Sequence, residues 1–102
     1  MSEIIREENK VTIRPNDNIV ASMSHELREE LLSLIGKGEK GLIVDMKDVL
    51  LIDSVGIGIL VAAHNSLSKC GGKLTVINLS EDLYQLFKTM RLDQHLELKT
   101  SD

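Results

Sequence analysis

Residues 42–58 constrain the fold of this chain more than any other stretch. They read L-I-V-D-M-K-D-V-L-L-I-D-S-V-G-I-G. A short apolar run, Leu42-Ile43-Val44, stops at Asp45, and a second, Val49-Leu50-Leu51-Ile52, stops at Asp53-Ser54. Gly56 and Gly58 then lead into a long helical pattern. A short apolar run bounded by turn residues fits a strand covered on both faces. The order is buried strand, connector, polar tip, helix start, with Asp53-Ser54 at the tip.

The rest of the chain alternates strands and helices around that stretch. Residues 1–10 are polar apart from Ile4-Ile5 and fit either a strand or a frayed end. Val11-Thr12-Ile13 alternates like a half-buried strand. Pro15-Asn16-Asp17-Asn18 reads as a turn, since Pro presets φ and Asn and Asp tolerate turn geometry. Ile19-Val20-Ala21 is expected to return antiparallel, making residues 11–21 a hairpin. Helix one is predicted to begin at a capping Ser22 or Ser24, with Glu26 suiting the positive helix end. Leu27, Leu31 and Leu34 mark its apolar face, widened by Ile35. Gly36-Lys37-Gly38 ends it, and Glu39-Lys40-Gly41 leads into the Leu42 strand.

Helix two is predicted from about Val55 to Cys70. Leu60, Ala63, Leu67 and Cys70 form one stripe, with Ile57, Val61 and His64 beside it. Gly71-Gly72 closes the helix and Leu74-Thr75-Val76-Ile77 is the next strand. Ser80 caps helix three, whose apolar face reads Leu83, Leu86, Phe87, Met90 at i, i+3, i+4, i+7. Leu96-Glu97-Leu98 reads as a final edge strand. The fold class is therefore α/β: a mixed sheet, with an N-terminal antiparallel hairpin and parallel strands joined by right-handed crossovers, covered by about three to four helices.

Composition narrows the function. The 102 residues make one domain, with its core over about 9–98. A net charge of −4 gives no electrostatic footprint for nucleic acid, and 2% aromatics leaves few rings on which bases could stack. No charged-then-apolar leader precedes residue 20, and no apolar run approaches the ~18 residues of a membrane span. A single cysteine cannot form an internal disulfide, which fits a reducing compartment. The expectation is a cytoplasmic protein without membrane insertion.

Few residues invite chemistry. Ser54 has two compatible readings: an N-cap whose Oγ accepts a backbone N–H, or a phosphate acceptor at a helix start, where free N–H groups and the helix dipole favour an anion. Gly56 and Gly58 are only half of a dinucleotide fingerprint, and Val76-Ile77-Asn78 lacks the acidic residue that should follow. They are better read as small residues that let the backbone, or a partner, approach closely. No G-x-S-x-G elbow surrounds the serine. His64 reads as structural, His25 and His95 are isolated, no spacing resembles a metal site, and Cys70 reads as a small core residue. The chain is not read as an enzyme, and neither cofactor nor metal is expected.

The segment L-I-V-D-M-K-D-V-L-L-I-D-S-V-G-I-G-I-L, with the downstream Gly71-Gly72-Lys73, a strand and Leu83–Phe87, resembles the STAS domain, and more narrowly the bacterial anti-sigma factor antagonists. The resemblance spans about residues 9–98. It implies partner switching. The serine after the aspartate, Ser54 here, is phosphorylated by a serine protein kinase that is also the anti-sigma factor, and a serine phosphatase resets it. Unphosphorylated antagonist binds the kinase and frees the sigma factor; phosphorylated antagonist lets go. The implied partner-facing residues are Asp53, Ser54, Val55, Gly56 and Ile57, with Ser22 and Ser24 from the segment before helix one. That segment departs from the family: Ala21-Ser22-Met23-Ser24 stands where the family carries a Gly-acidic-apolar-Asp run.

Phosphorylation adds about −1.5 to −2 charge beside Asp53. Reversing a 99:1 equilibrium takes ~5.5 kcal/mol of differential binding. An exposed ion pair supplies only ~0–1 kcal/mol, whereas burying an unpaired charge costs several kcal/mol. A phospho-switch thus requires Ser54 to lie inside the partner interface. The alternative is a constitutive STAS interaction subunit, a stress-signalling scaffold or lipid-transporter subunit, in which Ser54 is only a cap or a contact.

Overall fold

The computed structural model describes residues 2–8, 10–38 and 40–101. Five strands form one sheet: β1 (Glu3–Glu7), β2 (Lys10–Arg14), β3 (Gly41–Asp45), β4 (Lys73–Leu79) and β5 (Glu97–Thr100). Their spatial order is β1-β2-β3-β4-β5, with β1 antiparallel to β2 and every other pair parallel. Helices α1 (Ser24–Gly36), α2 (Ser54–Lys69) and α3 (Glu81–Thr89) make the crossovers, and 3-10 turns occupy Ala21–Met23 and Leu92–Gln94. This is the expected mixed α/β architecture with three helices.

Register explains which face of the sheet is covered. Val11 pairs with Leu42 and Leu42 with Leu74, while Ile13 pairs with Val44 and Val44 with Val76. All six are buried, forming two rows across the sheet on the side where the core lies. Between the two rows Thr12 pairs with Ile43 and Ile43 with Thr75; Thr12 is 9% exposed, whereas Ile43 and Thr75 are only half-buried. The Leu42 strand is therefore not covered on both faces as its apolar run suggested: alternation reasserts itself, and Ile43 looks towards the barer side.

Leu27, Leu31 and Leu34 of α1, Leu60, Ala63 and Leu67 of α2, and Leu83 and Phe87 of α3 complete the core. α1 packs on α2, α2 on β4, and α3 on β4 and β5. α2 ends in a Schellman arrangement: Gly72 N–H donates to Leu67 O at 2.7 Å and Gly71 N–H to Ser68 O at 3.1 Å, with Gly71 at φ +78°.

Four expectations are corrected. The hairpin is β1–β2, over 3–14, not 11–21; Ile4-Ile5 supplies its outer strand, and Ile19 instead makes a parallel bridge to Ile52. Neither Ser22 nor Ser24 caps α1: the capping position is Met23, and Ser24 Oγ donates back to Ala21 O at 2.8 Å. Cys70 is exposed, because the turn that closes α2 lifts it off the core stripe. Met90 and Leu86 are 46% and 37% exposed, because α3 stops at Thr89 and only Leu83 and Phe87 face inward. Glu39 of the predicted loop lies outside the described residues.

Candidate functional site

The site forms where the connector after β3 meets the segment before α1. Val49 and Ile52 of the connector are buried, and Ile52 bridges Ile19. Ile19 N–H donates to Leu51 O at 3.0 Å and Asp53 N–H to Ile19 O at 3.1 Å, a short parallel ladder. Asn18 Oδ1 accepts from both Leu50 N–H (3.0 Å) and Leu51 N–H (3.1 Å). Arg14 Nε donates to Asp48 Oδ2 at 3.1 Å, fastening the start of the connector to the end of β2. The loop is thus fixed by its backbone, yet Leu50 and Leu51 stand 72% and 62% exposed.

Asp53 organises the tip. It is the N-cap of α2, its Oδ1 accepting from Gly56 N–H at 3.0 Å. Its Oδ2 accepts from Ala21 N–H at 2.9 Å, so one carboxylate holds the start of α2 and the turn before α1 together. These bonds, Gly56 first, hold the Asp53 carboxyl below the usual carboxylate range despite partial desolvation. The capping role read for Ser54 therefore belongs to its neighbour. Ser54 is the first residue of α2, exposed at a helix N-terminus, with its hydroxyl left out of the cap.

The other expected site residues divide. Val55 is 45% exposed beside Ser54, and Ser22 is exposed on the turn that Asp53 holds. Ser24 is half-buried. Gly56 and Ile57 face inward: Ile57 is 7% exposed, and a Cβ on Gly56 would lie 2.6 Å from Ile19 Cγ2 and 2.8 Å from Ile19 O. Gly58 differs, since a Cβ there would meet nothing within 4 Å. Leu50 and Leu51 escaped the sequence reading. Their signal was an apolar doublet inside a connector, which a short loop cannot bury on both sides.

A five-stranded mixed sheet with a carboxylate-capped helix start, an exposed serine and flanking exposed apolar residues defines a small α/β domain whose distinctive surface is that helix start. The chain belongs to the STAS domain family, whose sequence profile matches residues 2–102. It is similar to the anti-sigma-B factor antagonist of Bacillus subtilis, 31% identical over 96 residues that span 94% of this chain and 87% of that protein. Among solved structures it superimposes on the Thermotoga maritima protein TM1081 with a TM-score of 0.91 at 20% identity, over 96% of this chain and 85% of that one. The unphosphorylated anti-sigma factor antagonist SpoIIAA of Bacillus gives a TM-score of 0.77 at 16% identity, over 96% and 86% of the two chains. At these identities the structural likenesses concern the fold alone.

Proposed function

We propose that this chain is an anti-sigma factor antagonist that works by partner switching, with Ser54 as phosphate acceptor. It binds an anti-sigma factor that is also a serine kinase while Ser54 is unmodified, and releases it once Ser54 carries phosphate; a serine phosphatase resets the cycle. The role is that of a binding protein rather than a catalyst, in the cytoplasm. The observation that carries the reading is the division of labour at the start of α2: Asp53 takes the cap, leaving the Ser54 hydroxyl exposed and free to react.

Two further features support it. Leu50, Leu51 and Val55, within four residues of Ser54, leave large apolar side chains in water, as a partner-covered surface would. Such a cover would desolvate a phosphate on Ser54 and give the several kcal/mol that a switch needs. The likeness to a curated anti-sigma-B factor antagonist over nearly the whole chain points the same way.

The test is intact-mass spectrometry of the protein purified from its own host, beside Ser54→Ala. A phosphate-sized increment present only in the wild type is expected. Its absence under every growth condition, and after incubation with the host's candidate kinases and ATP, would favour a constitutive interaction subunit.

A further inference from the structure

A second surface lies beside this site. A groove of about 510 Å³ runs between α1 and α2. One wall is low, built from Gly58, Ala62 and Ser66 at four-residue spacing on α2; the other carries Arg28 and Leu32 of α1, and Val55 stands at the Ser54 end. Leu32 is 46% exposed and Val55 45%.

Nothing inside the molecule asks for glycine at position 58. Glycine weakens a helix interior, Gly58 is not among the positive-φ glycines, and a Cβ there meets only open space. Gly56, two residues earlier, is needed by Ile19 and Ile52. What Gly58 does provide is a lowered wall facing outward, where another backbone can come close.

The groove also has a sign. The chain holds 16 acidic residues against 12 Lys and Arg, yet no acidic side chain lines this groove; its charged or titratable groups are Arg28 and His25. Arg28 makes no ion pair among the described residues, and His25 lies 3.9 Å from Glu29. A complementary occupant therefore presents a carboxylate.

Its shape is set by backbone hydrogen bonding. Both walls are helices, whose backbone groups are paired internally, so an extended peptide would find no strand edge to join; a helix satisfies its own backbone and needs only a matching side-chain surface. From Val55 to Ser66 the wall rises about 16 Å, roughly three helical turns, and its four-residue ridge spacing suits ridges-into-grooves packing.

We propose that the α1–α2 groove docks an amphipathic helix of a protein partner. Its apolar stripe lies on Leu32, Val55 and the Gly58–Ala62 wall, and an acidic residue reaches Arg28. This adds a contact next to Ser54 and does not depend on that serine being phosphorylated.

The test uses the full chain in its own host with the photo-crosslinker p-benzoylphenylalanine at position 32, or at Leu86 on α3 as control, and peptide-level mass spectrometry of the adducts. The expected adduct from position 32 maps to one partner segment with i, i+3, i+4 apolar periodicity and an Asp or Glu at its border, and is absent from position 86. Arg28→Glu cuts its yield about tenfold, as loss of a central interface contact does. Gly58→Ala also cuts the yield while raising the melting temperature, a combination that a folding defect cannot produce. No adduct at 32, an equal adduct at 86, an adduct to a second copy of this chain, or yields indifferent to both substitutions would overturn the proposal. An adduct at position 32 on a chain that gains no phosphate under any growth condition, nor after incubation with the host's candidate kinases and ATP, would sink the phospho-switch and leave the docking site standing.

Discussion

Asp53 Oδ2 accepts a hydrogen bond from Ala21 N–H at 2.9 Å, across 32 positions of sequence. With Oδ1 on Gly56 N–H, the same side chain fixes both the start of α2 and the turn before α1. A carboxyl whose folded pKa is depressed stabilises the fold above its unfolded value of about 3.9, and that contribution is lost as pH falls through the lower folded value. Asp53→Asn, which keeps an acceptor but not the charge, is therefore expected to melt below wild type at pH 7. The gap should narrow as pH drops below about 4, in thermal melts monitored by circular dichroism, leaving the part that comes from the bond the second oxygen made. A gap independent of pH would show that the hydrogen bond lost with the second oxygen, not the charge, sets the difference.

Gly56 and Gly58 should respond to alanine with opposite signs. At Gly56 the added carbon meets Ile19 and Ile52 at 2.6–2.8 Å, and the overpacking should cost about 1–3 kcal/mol. At Gly58 the carbon has room, and the gain in helix propensity should be about 0.5–1 kcal/mol. Urea titration of both variants measures the two shifts directly.

Asn18→Ala removes the acceptor shared by Leu50 N–H and Leu51 N–H. The loop is exposed, so water replaces the lost bonds and the expected cost is about 1 kcal/mol. The specific signature is local: amide exchange at Leu50 and Leu51 should accelerate while Leu42 and Val44 stay protected.

Leu50→Ser and Leu51→Ser remove apolar surface that the fold does not use. Stability should stay within about 0.5 kcal/mol of wild type. Binding to the host's anti-sigma factor, measured by calorimetry, should weaken by about tenfold or more if these leucines are central to the interface.

Ser54→Asp places a carboxylate in the first turn of α2, where the helix dipole favours it and Asp53 opposes it. The two influences should nearly cancel in a thermal melt. Loss of partner binding in Ser54→Asp, with retention in Ser54→Ala, would then report the switch and not unfolding.

The sequence made the central architecture legible because its periodicities were unambiguous. The 27-31-34 stripe of α1 and the 60-63-67 stripe of α2 each had one packing solution. The runs at Leu42 and Leu74 were legible as strands, though the Leu42 run did not reveal that one of its faces is barer. The N-terminal pairing was misread because Pro15-Asn16-Asp17-Asn18 carries hairpin-like turn chemistry, whereas Ile19 is claimed by Ile52 across the fold. No local pattern encodes that long-range pairing. The same limit hid the cap: Asp and Ser are comparable N-caps, and only the approach of Ala21 to Asp53 selects between them. Leu50 and Leu51 share one apolar run with Val49 and Ile52, and no local pattern says that the outer pair turns inward while the inner pair stays in water.

The strands lie across the sheet in the order in which the chain presents them. Each joins the free edge left by its predecessor, and none has to be threaded between two already in place. Synthesis delivers β1, β2, the 18–21 segment, β3 and α2 before β4 exists. Every residue that grips Asp53 and sets Ser54 at the helix start is on that earlier side. The candidate recognition end is thus encoded wholly in the part of the chain that precedes β4, and the last two strands extend the sheet beyond β3.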